Sequence, residues 1–549
     1  MDNETGKASL TGRPDALRKS LESLFSGRGL ADLRGQDAVR KPSSPVDTVL
    51  LSDEPGGAGK KSLLPASFAQ RQLWFVNRMH PGDDSYHMSL SLRIKGHLDV
   101  AALQAALQVM SDRHETLRSL FVEHEGELSI HVLPDLRLSI ARVDLSALRD
   151  VERESRAKED GEAFLRKPFR LGQEPPFRSM LIRLSDREHI FIAVVHHIAA
   201  DGGSFSQFAR QLSDYYNQQV RHGRIRWSTL PGRSTHWGLE EKAFLETPEA
   251  RAMMDFWRRE LADFSTSMPW PFAASVGGRS TEVGLASMRM TPDPALAREL
   301  VSYGRQDSGR LFRFLLASLF ALLHRLSGES VITIGVPVHD RRHPEEREMI
   351  GLRMKLVPVT VNVSQDARFS DILRQMNIKF REILRNLRMP LGALSEWLPK
   401  DRDEGRGRLF HTFFNYREDV YSSLGLEGLA MEEYPIAVSG AKSDLSVIVE
   451  SMPGHEKWIR EGILFKYDRA VFRDGDMESL AARWFKMISL FLRTPDAPIG
   501  NLDILLPGES ESLRRWENPD VQSASPDACL HELFSEQARR TPHHAALIV

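Results

Sequence analysis

The sequence predicts a mixed α/β protein that folds as two units, and three patterns indicate this. A β-branched run at 190–195 is typical of a strand buried on both faces, and apolar residues at helical spacing follow it. An apolar helical stretch at 311–326 is followed by a second strand-like run at 331–335. The chain has 549 residues, which is long for a single hydrophobic core.

The amino-acid composition of the chain argues against several classes of function. The 73 Lys and Arg residues nearly balance the 75 Asp and Glu residues, so the overall charge indicates neither a nucleic acid nor an acidic membrane as partner. The single cysteine, Cys529, excludes an internal disulfide and a thiolate metal cluster, which suits a reducing cytoplasm. The N-terminus lacks the apolar core of a signal peptide, and the stretch at 311–326 is shorter than the roughly 20 residues that cross a bilayer. We therefore expect a cytoplasmic protein without a membrane span.

The first unit is predicted at 62–245. Residues 1–61 are polar and rich in Gly, Ser, Pro and Asp, which predicts a disordered leader, with a docking tail for another subunit as the alternative. The elements expected before the central strand are a helix at 67–75, a strand at 88–94, a helix at 99–114, a strand at 125–133 and a charged helix at 146–166.

Two adjacent histidines, His196 and His197, follow the central strand directly. Successive strand residues point to opposite faces, so one imidazole should pack inward while the other faces a cavity. Asp201 and Gly202 close the turn, and Ser204 is the expected N-cap of the next helix. A zinc site formed by the two histidines and Asp201 is not expected, because neighbouring strand side chains diverge.

The second unit is predicted at 246–505, beginning with a long helix near 248. After the helix and strand named above, the chain carries VPVHDRRHP at 336–344 and LFHTFFNY at 409–416. A polar, proline-bearing linker is expected at 506–528, followed by a short helical segment at 529–549.

Several segments together resemble the condensation domains of nonribosomal peptide synthetases, members of the chloramphenicol-acetyltransferase-like acyltransferases. HHIAADG at 196–202 fits the family signature HHxxxDG. The other matches, in the family's order, are SFAQRQLWF at 67–75, RHETLR at 113–118, Trp237 alone of the fourth motif, GVPVHDRRHP at 335–344, LFHTFFNY at 409–416 and the turn at 441–445. The last 21 residues resemble the opening of an adenylation domain, truncated here.

The resemblance implies two chloramphenicol-acetyltransferase-like lobes that form a V-shaped pseudo-dimer with an active-site tunnel between them. It places the catalytic role on His197, as a base or as a group that positions the attacking amine. His196 would support the motif by packing, and Asp201 would form a structural ion pair with Arg341. Gly202 would either place an amide near the developing oxyanion or simply make a tight turn.

Four residues are predicted to line the channel or contact substrate: Gly203, Ser204, Lys355 and Ser443. Many relatives carry a bulky residue such as Trp where this chain has Gly203, so extra room for a long acyl donor is expected there. Lys355 stands where relatives carry Asn, which puts that position's role in doubt.

The function that the resemblance implies is amide bond formation between an acyl donor and an aminoacyl thioester on a carrier protein. A starter-type domain that takes a fatty acyl group from acyl-CoA is favoured, because no carrier domain precedes it in the chain. An elongation domain that receives its donor from a carrier on another subunit is the alternative, and a wax ester synthase-like acyl-CoA:alcohol acyltransferase is the alternative class. No bound cofactor is expected, since the substrates travel on phosphopantetheine or coenzyme A. The expected partners are downstream adenylation and carrier domains.

Overall fold

The computed structural model describes residues 63–228, 232–262, 264, 268–270, 284–304, 308–393, 410–436, 443–450, 457–517 and 529–542. The predicted leader at 1–61 lies outside these ranges, as do the second half of the predicted linker and the last seven residues.

The first lobe is built around a buried central strand. Its strands are β1 (Leu64–Pro65), β2 (His87–Lys95), β3 (Ser119–His124), β4 (Glu127–Val132), β5 (Ile140–Asp144), β6 (Phe177–Ser185) and β7 (Glu188–His196). Its helices are α1 (Phe68–Met79), α2 (Val100–Arg113), α3 (Asp150–Arg166), α4 (Gly202–His222) and α5 (Trp237–Leu245). The predicted central strand is confirmed as β7, which pairs antiparallel with β2 on one side and β6 on the other. Every residue of β7 after Glu188 is buried, as its β-branched composition predicts.

The second lobe packs a sheet of mixed strand direction against long helices. Its strands are β8 (Leu285–Met290), β9 (Val331–His339), β10 (Met354–Asn362), β11 (Thr412–Arg417), β12 (Ala430–Glu433), β13 (Leu445–Glu450) and β14 (Ile463–Asp468). Its helices are α6 (Pro248–Glu260), α7 (Pro294–Gly304), α8 (Ser308–Ser327), α9 (Phe369–Arg385), α10 (Lys457–Arg460) and α11 (Asp474–Arg493). Among the described strands the order is β10-β9-β11-β13-β14-β8, so β12 is absent from this sheet.

Helix α8 is the apolar stretch singled out in the sequence, and it forms the centre of the second core. Leu315, Leu319, Phe320, Leu322 and Leu323 are fully buried there. The charged side chains that interrupt the run lie at its ends, and Arg325 donates to the backbone carbonyl of Leu502. Across the described residues, no helix has both the length and the apolarity that crossing a bilayer requires.

Strand β12 crosses from the second half of the chain into the first lobe. It pairs antiparallel with β2, from Ala430 opposite Lys95 to Glu433 opposite Leu92. The order of the five-stranded sheet is therefore β12-β2-β7-β6-β5. Two contiguous units were expected, but the outer edge of β2 is covered by a strand that follows most of the second lobe in sequence. Covering this edge removes a row of unpaired backbone groups.

The end of the second lobe extends beyond the expected boundary at 505. Part of the predicted linker forms helix α12 (Glu509–Glu517), whose first carboxylate accepts from Arg483 at 2.5 Å. The segment predicted to be helical after the linker contains α13 (Leu530–Arg540), which is exposed along its described side chains.

His114 joins the two lobes through a buried imidazole. The backbone N–H of Ile350 donates to His114 Nδ1 at 3.3 Å, so Nε2 carries the proton and donates to Gln211 Oε1 at 2.7 Å. Burial lowers the pKa of His114 to about 3, and the hydrogen bond to Gln211 only partly offsets it. Protonating this ring would remove the acceptor that Ile350 uses.

Acid should therefore weaken the folded state through His114. Its folded pKa lies below the unfolded value of about 6.5, so the unfolded chain takes up the proton first as the pH falls. The stabilisation is complete above about pH 6.5 and is lost progressively as the pH falls to about 3. At pH 5 the loss of stability is roughly 2 kcal/mol. We expect His114→Asn to reduce the difference in free energy of unfolding between pH 7 and pH 5, measured by urea denaturation.

His222→Asn, at the exposed end of α4, is the matched control and should leave that difference unchanged. A pH dependence in His114→Asn as steep as in the wild type would contradict the prediction.

Candidate active site

The histidine pair lies where β7 ends and the chain turns toward α4. The backbone N–H of His196 donates to Pro176 O and that of His197 to Tyr86 O, both at 2.8 Å. The N–H of Ala199 then bonds back to His196 O at 2.9 Å, which closes the turn. The turn is thus fixed by the segments that lead into both neighbouring strands.

His196 is the inward-facing histidine, with 1% of its surface exposed. Its ring lies edge-on to those of His87 and Phe169, with centroids 6.0 and 5.9 Å away. The N–H of Ile198 donates to His196 Nδ1 at 3.1 Å, which sets the neutral tautomer with the proton on Nε2. His196 therefore anchors the end of the strand.

His197 is partly exposed, in contrast to its neighbour. This difference in burial agrees with the two-residue period expected at the end of a strand. Of the two imidazoles, only that of His197 is presented to a group that arrives from outside the core.

Asp201, rather than the predicted Ser204, is the N-cap of α4. Its backbone is extended, and its Oδ1 accepts from the Ser204 N–H at 2.8 Å. Capping requires a side-chain acceptor three residues before the N–H that it satisfies, and Asp201 stands in that position.

The Asp201 carboxylate is fully buried and surrounded by donors from both lobes. Arg341 Nη2 lies 3.0 Å from Oδ1, and the backbone N–H of Arg353 donates to Oδ2 at 2.9 Å. His339 Nδ1 lies 3.7 Å from Oδ2. The structure thus brings Asp201 and Arg341 together as an ion pair whose side chains are 0% and 7% exposed.

Burial by itself would raise the pKa of the Asp201 carboxyl group. The ring of His339, the guanidinium of Arg341 and the amide of Arg353 outweigh burial and hold this pKa well below its usual range. Asp201 is therefore a permanently charged group with its oxygens directed at donors, and it is unsuited to exchange protons with a substrate.

The second lobe surrounds Asp201 with a loop that is itself tightly fixed. Arg341 Nη1 donates to the carbonyls of Glu346 and Met349, and its guanidinium carbon lies 5.8 Å from the Trp237 ring centroid. A Cβ at Gly351 would lie 2.5 Å from the Trp237 ring, so only glycine fits there. Trp237, weakly matched in the sequence, therefore packs against this loop.

Three of the four predicted channel residues have structural contacts instead. Ser204 is fully buried, and its Oγ lies 2.8 Å from Asp201 Oδ1 and 2.7 Å from both Gly351 O and Arg341 Nη2. The Lys355 ammonium bonds Asp340 Oδ2 at 2.8 Å and the carbonyls that follow α9. Ser443 is 3% exposed and bonds Leu445 O and Ser446 Oγ. The three side chains are thus hydrogen-bonded within the protein, which does not support the prediction that they contact substrate.

The expectation of extra room at Gly203 is wrong. A Cβ at this position would lie 3.2 Å from His339 Cε1 and 3.3 Å from His339 Nδ1. The imidazole of the second lobe therefore occupies the space that a larger side chain would need. At Gly202, by contrast, an added Cβ would meet open space.

His339 and Arg353 are site residues that the sequence reasoning missed. Both lie within or beside the segment that resembles a family motif, but that motif specifies neither side chain. The available signal was strand alternation, since the strand predicted at 331–335 runs on to His339 and Arg341 follows two positions later.

Comparisons with known proteins agree with this architecture. The family model of the condensation domain matches residues 60–514. Malpinin synthetase of Mortierella alpina is 27% identical over 491 residues, and isonitrile lipopeptide synthase of Mycobacterium tuberculosis is 26% identical over 544 residues. These alignments cover 88% and 94% of this chain, but only 6% and 21% of those proteins.

Solved structures with the same fold include a starter condensation domain and an X-domain. A mutant starter condensation domain of rhizomide synthetase in complex with C8-CoA is 20% identical, with a TM-score of 0.66, over 81% of this chain and 98% of that one. The X-domain from teicoplanin biosynthesis is 23% identical, with a TM-score of 0.67, over 82% and 99%. These likenesses confirm the mixed α/β, chloramphenicol-acetyltransferase-like fold and do not select a donor.

Breaking the Asp201–Arg341 pair should destabilise the protein strongly. Removing one partner leaves the other charge buried, which typically costs about 3–5 kcal/mol. We expect Asp201→Asn and Arg341→Met each to lower the free energy of unfolding by roughly that amount in urea denaturation.

The double variant D201N/R341M should lose clearly less than the sum of the two single losses, because no unpaired charge remains. Strictly additive losses would show that the two side chains do not stabilise each other.

Proposed function

We propose that this chain, which belongs to the condensation domain family of amide-forming acyltransferases, transfers a fatty acyl group from acyl-CoA to the amine of an aminoacyl thioester on a carrier protein. The observation that carries the proposal is the contrast between the two adjacent histidines. His196 is 1% exposed, whereas His197 is partly exposed at the end of a rigid strand.

The reaction is aminolysis of a thioester. The amine nitrogen attacks the carbonyl carbon, the C–N bond forms, the C–S bond breaks, and the thiol leaves with the proton that the nitrogen gives up. His197 would accept that proton or hold the amine by a hydrogen bond during attack. Fixing the imidazole directly after β7 favours either role, because well-oriented reactants lose little further entropy in the transition state.

Gly202 would supply the hydrogen bond to the developing oxyanion. It is the first residue of α4, where backbone N–H groups have no intrahelical acceptor and the helix dipole favours negative charge. Open space beyond its Cα lets a carbonyl oxygen approach. Gly202 is not among the described residues with positive φ, so a tight turn gives no separate reason for glycine.

Asp201 would act as a structural support in this scheme. It caps the helix that carries Gly202 and joins it to the loop of the second lobe through Arg341 and Arg353. Loss of activity on substitution of Asp201 would therefore report misplacement of the helix and turn.

The choice of a fatty acyl-CoA donor has support from two likenesses. One similar structure is a starter condensation domain with C8-CoA, and one similar protein is a lipopeptide synthase. Gly203 no longer supports this choice, since His339 fills the space beside it. The alternative remains a donor delivered by a carrier protein on another subunit.

His197→Ala should lower the rate of amide formation by about 10²–10⁴-fold, the usual loss when a proton-transfer group is removed. The melting temperature should change little, because the side chain is partly exposed. The assay mixes the protein with octanoyl-CoA and a panel of aminoacyl-loaded carriers, and detects the N-octanoyl product by mass.

His222→Ala removes an exposed imidazole from the same lobe and should retain the full rate. Undiminished activity in His197→Ala would refute the assignment of His197.

The donor is tested by offering octanoyl-CoA and an octanoyl-loaded carrier separately. We expect octanoyl-CoA to be consumed, with one free CoA released for each amide formed. Amide formation only from the carrier-bound donor would establish the elongation alternative. Ester formation with a long-chain alcohol and no amine acceptor would establish the wax ester synthase-like class.

A further inference from the structure

His339 lies at the end of β9, where the side chains alternate between two destinations. His339 and Arg341 both point toward Asp201, at 3.7 and 3.0 Å from its oxygens. Asp340, between them, points the other way and bonds Lys355 Nζ at 2.8 Å. The backbone N–H of Asp340 also donates to Arg353 O at 3.2 Å, which continues the pairing of β9 with β10. The backbone that presents His339 is therefore fixed on both sides.

The imidazole of His339 fits against the first turn of α4. Its Cε1 and Nδ1 lie 3.2 and 3.3 Å from the position that a Cβ would take at Gly203, so the ring occupies the space that a larger residue would need there. Nδ1 of the same ring lies 3.7 Å from Asp201 Oδ2. Even so, 42% of the His339 side chain remains exposed. One side of the ring thus faces the helix while another is open to solvent.

We propose that His339 is a specificity-determining residue that limits the bulk of the acyl group next to the reacting carbonyl. This inference rests on the proposed function, in which the Gly202 amide binds the carbonyl oxygen. The carbon next to that carbonyl then lies beside the next residue, Gly203, and the ring that covers it.

The contact is steric in origin. The ring stands beside Gly203 on a backbone that is fixed by hydrogen bonds, and it excludes any group that would need the same space. Straight acyl chains present two hydrogens at the carbon next to the carbonyl, whereas a 2-methyl branch places a methyl group there. His339 should therefore favour straight-chain over 2-branched acyl donors.

The test compares octanoyl-CoA with 2-methyloctanoyl-CoA in the wild type and in His339→Ala. We expect the ratio of kcat/KM for the branched donor to that for the straight donor to rise by about tenfold or more, the range that one methyl group commands in a binding pocket. His222→Ala is the matched control and should leave this ratio unchanged.

A second pair of variants tests the contact itself. Gly203→Leu should clash with His339 and lower kcat/KM for both donors, and His339→Ala in the same chain should restore much of the loss. His339→Asn, which keeps a polar group near Asp201, should shift the donor ratio in the same direction by less and serves if His339→Ala does not fold.

The outcomes separate the two levels of inference. Absence of amide from every donor in the wild type would overturn the proposed function. Amide formation with a donor ratio that does not change in His339→Ala or His339→Asn would overturn the role of His339 alone. An equal loss with both donors, together with a lower melting temperature, would mark His339 as a purely structural residue and overturn the proposal as well.

Discussion

The buried carboxylate of Asp201 is the interaction on which the site depends. It caps the helix that follows the histidine turn, and it accepts hydrogen bonds from Ser204 of the first lobe and from Arg341 and Arg353 of the second. A single charged group thus caps a helix of the first lobe and links it to the second lobe. These donors offset the desolvation of the carboxylate, and Arg341 among them is itself fixed by hydrogen bonds to the carbonyls of Met349 and Gly351.

Near Asp201, the alternation of side chains along β7 and β9 determines the direction in which each side chain points. At the end of β7 the period of two buries His196 and presents His197. At the end of β9 the same period sends His339 and Arg341 to Asp201 and sends Asp340 to Lys355. Neighbouring residues in the chain therefore have different roles. His197 is partly exposed and available for chemistry, whereas its neighbour His196 is buried and supports the turn.

Sequence patterns predicted the parts of this site that depend on local periodicity. The buried strand, the divergent histidines and the apolar helix α8 follow from composition and spacing alone. The partnership of Asp201 with Arg341, 140 positions apart, came from the family resemblance, because no local pattern encodes it. The contact of His339 with Gly203 was missed, because a glycine in the sequence does not indicate which distant side chain fills the space beside it. Strand β12 was missed as well, because four half-polar residues carry no clear period.

The crossing of β12 has a consequence for how the molecule can be divided. In a fragment that contains only the first lobe, one edge of β2 would have unpaired amide and carbonyl groups. The other fragment would contain β12 without the strand with which it pairs. The halves are consequently interdependent in folding, however separate their hydrophobic interiors. Any division of the chain between β2 and β12 therefore separates two strands that pair with each other.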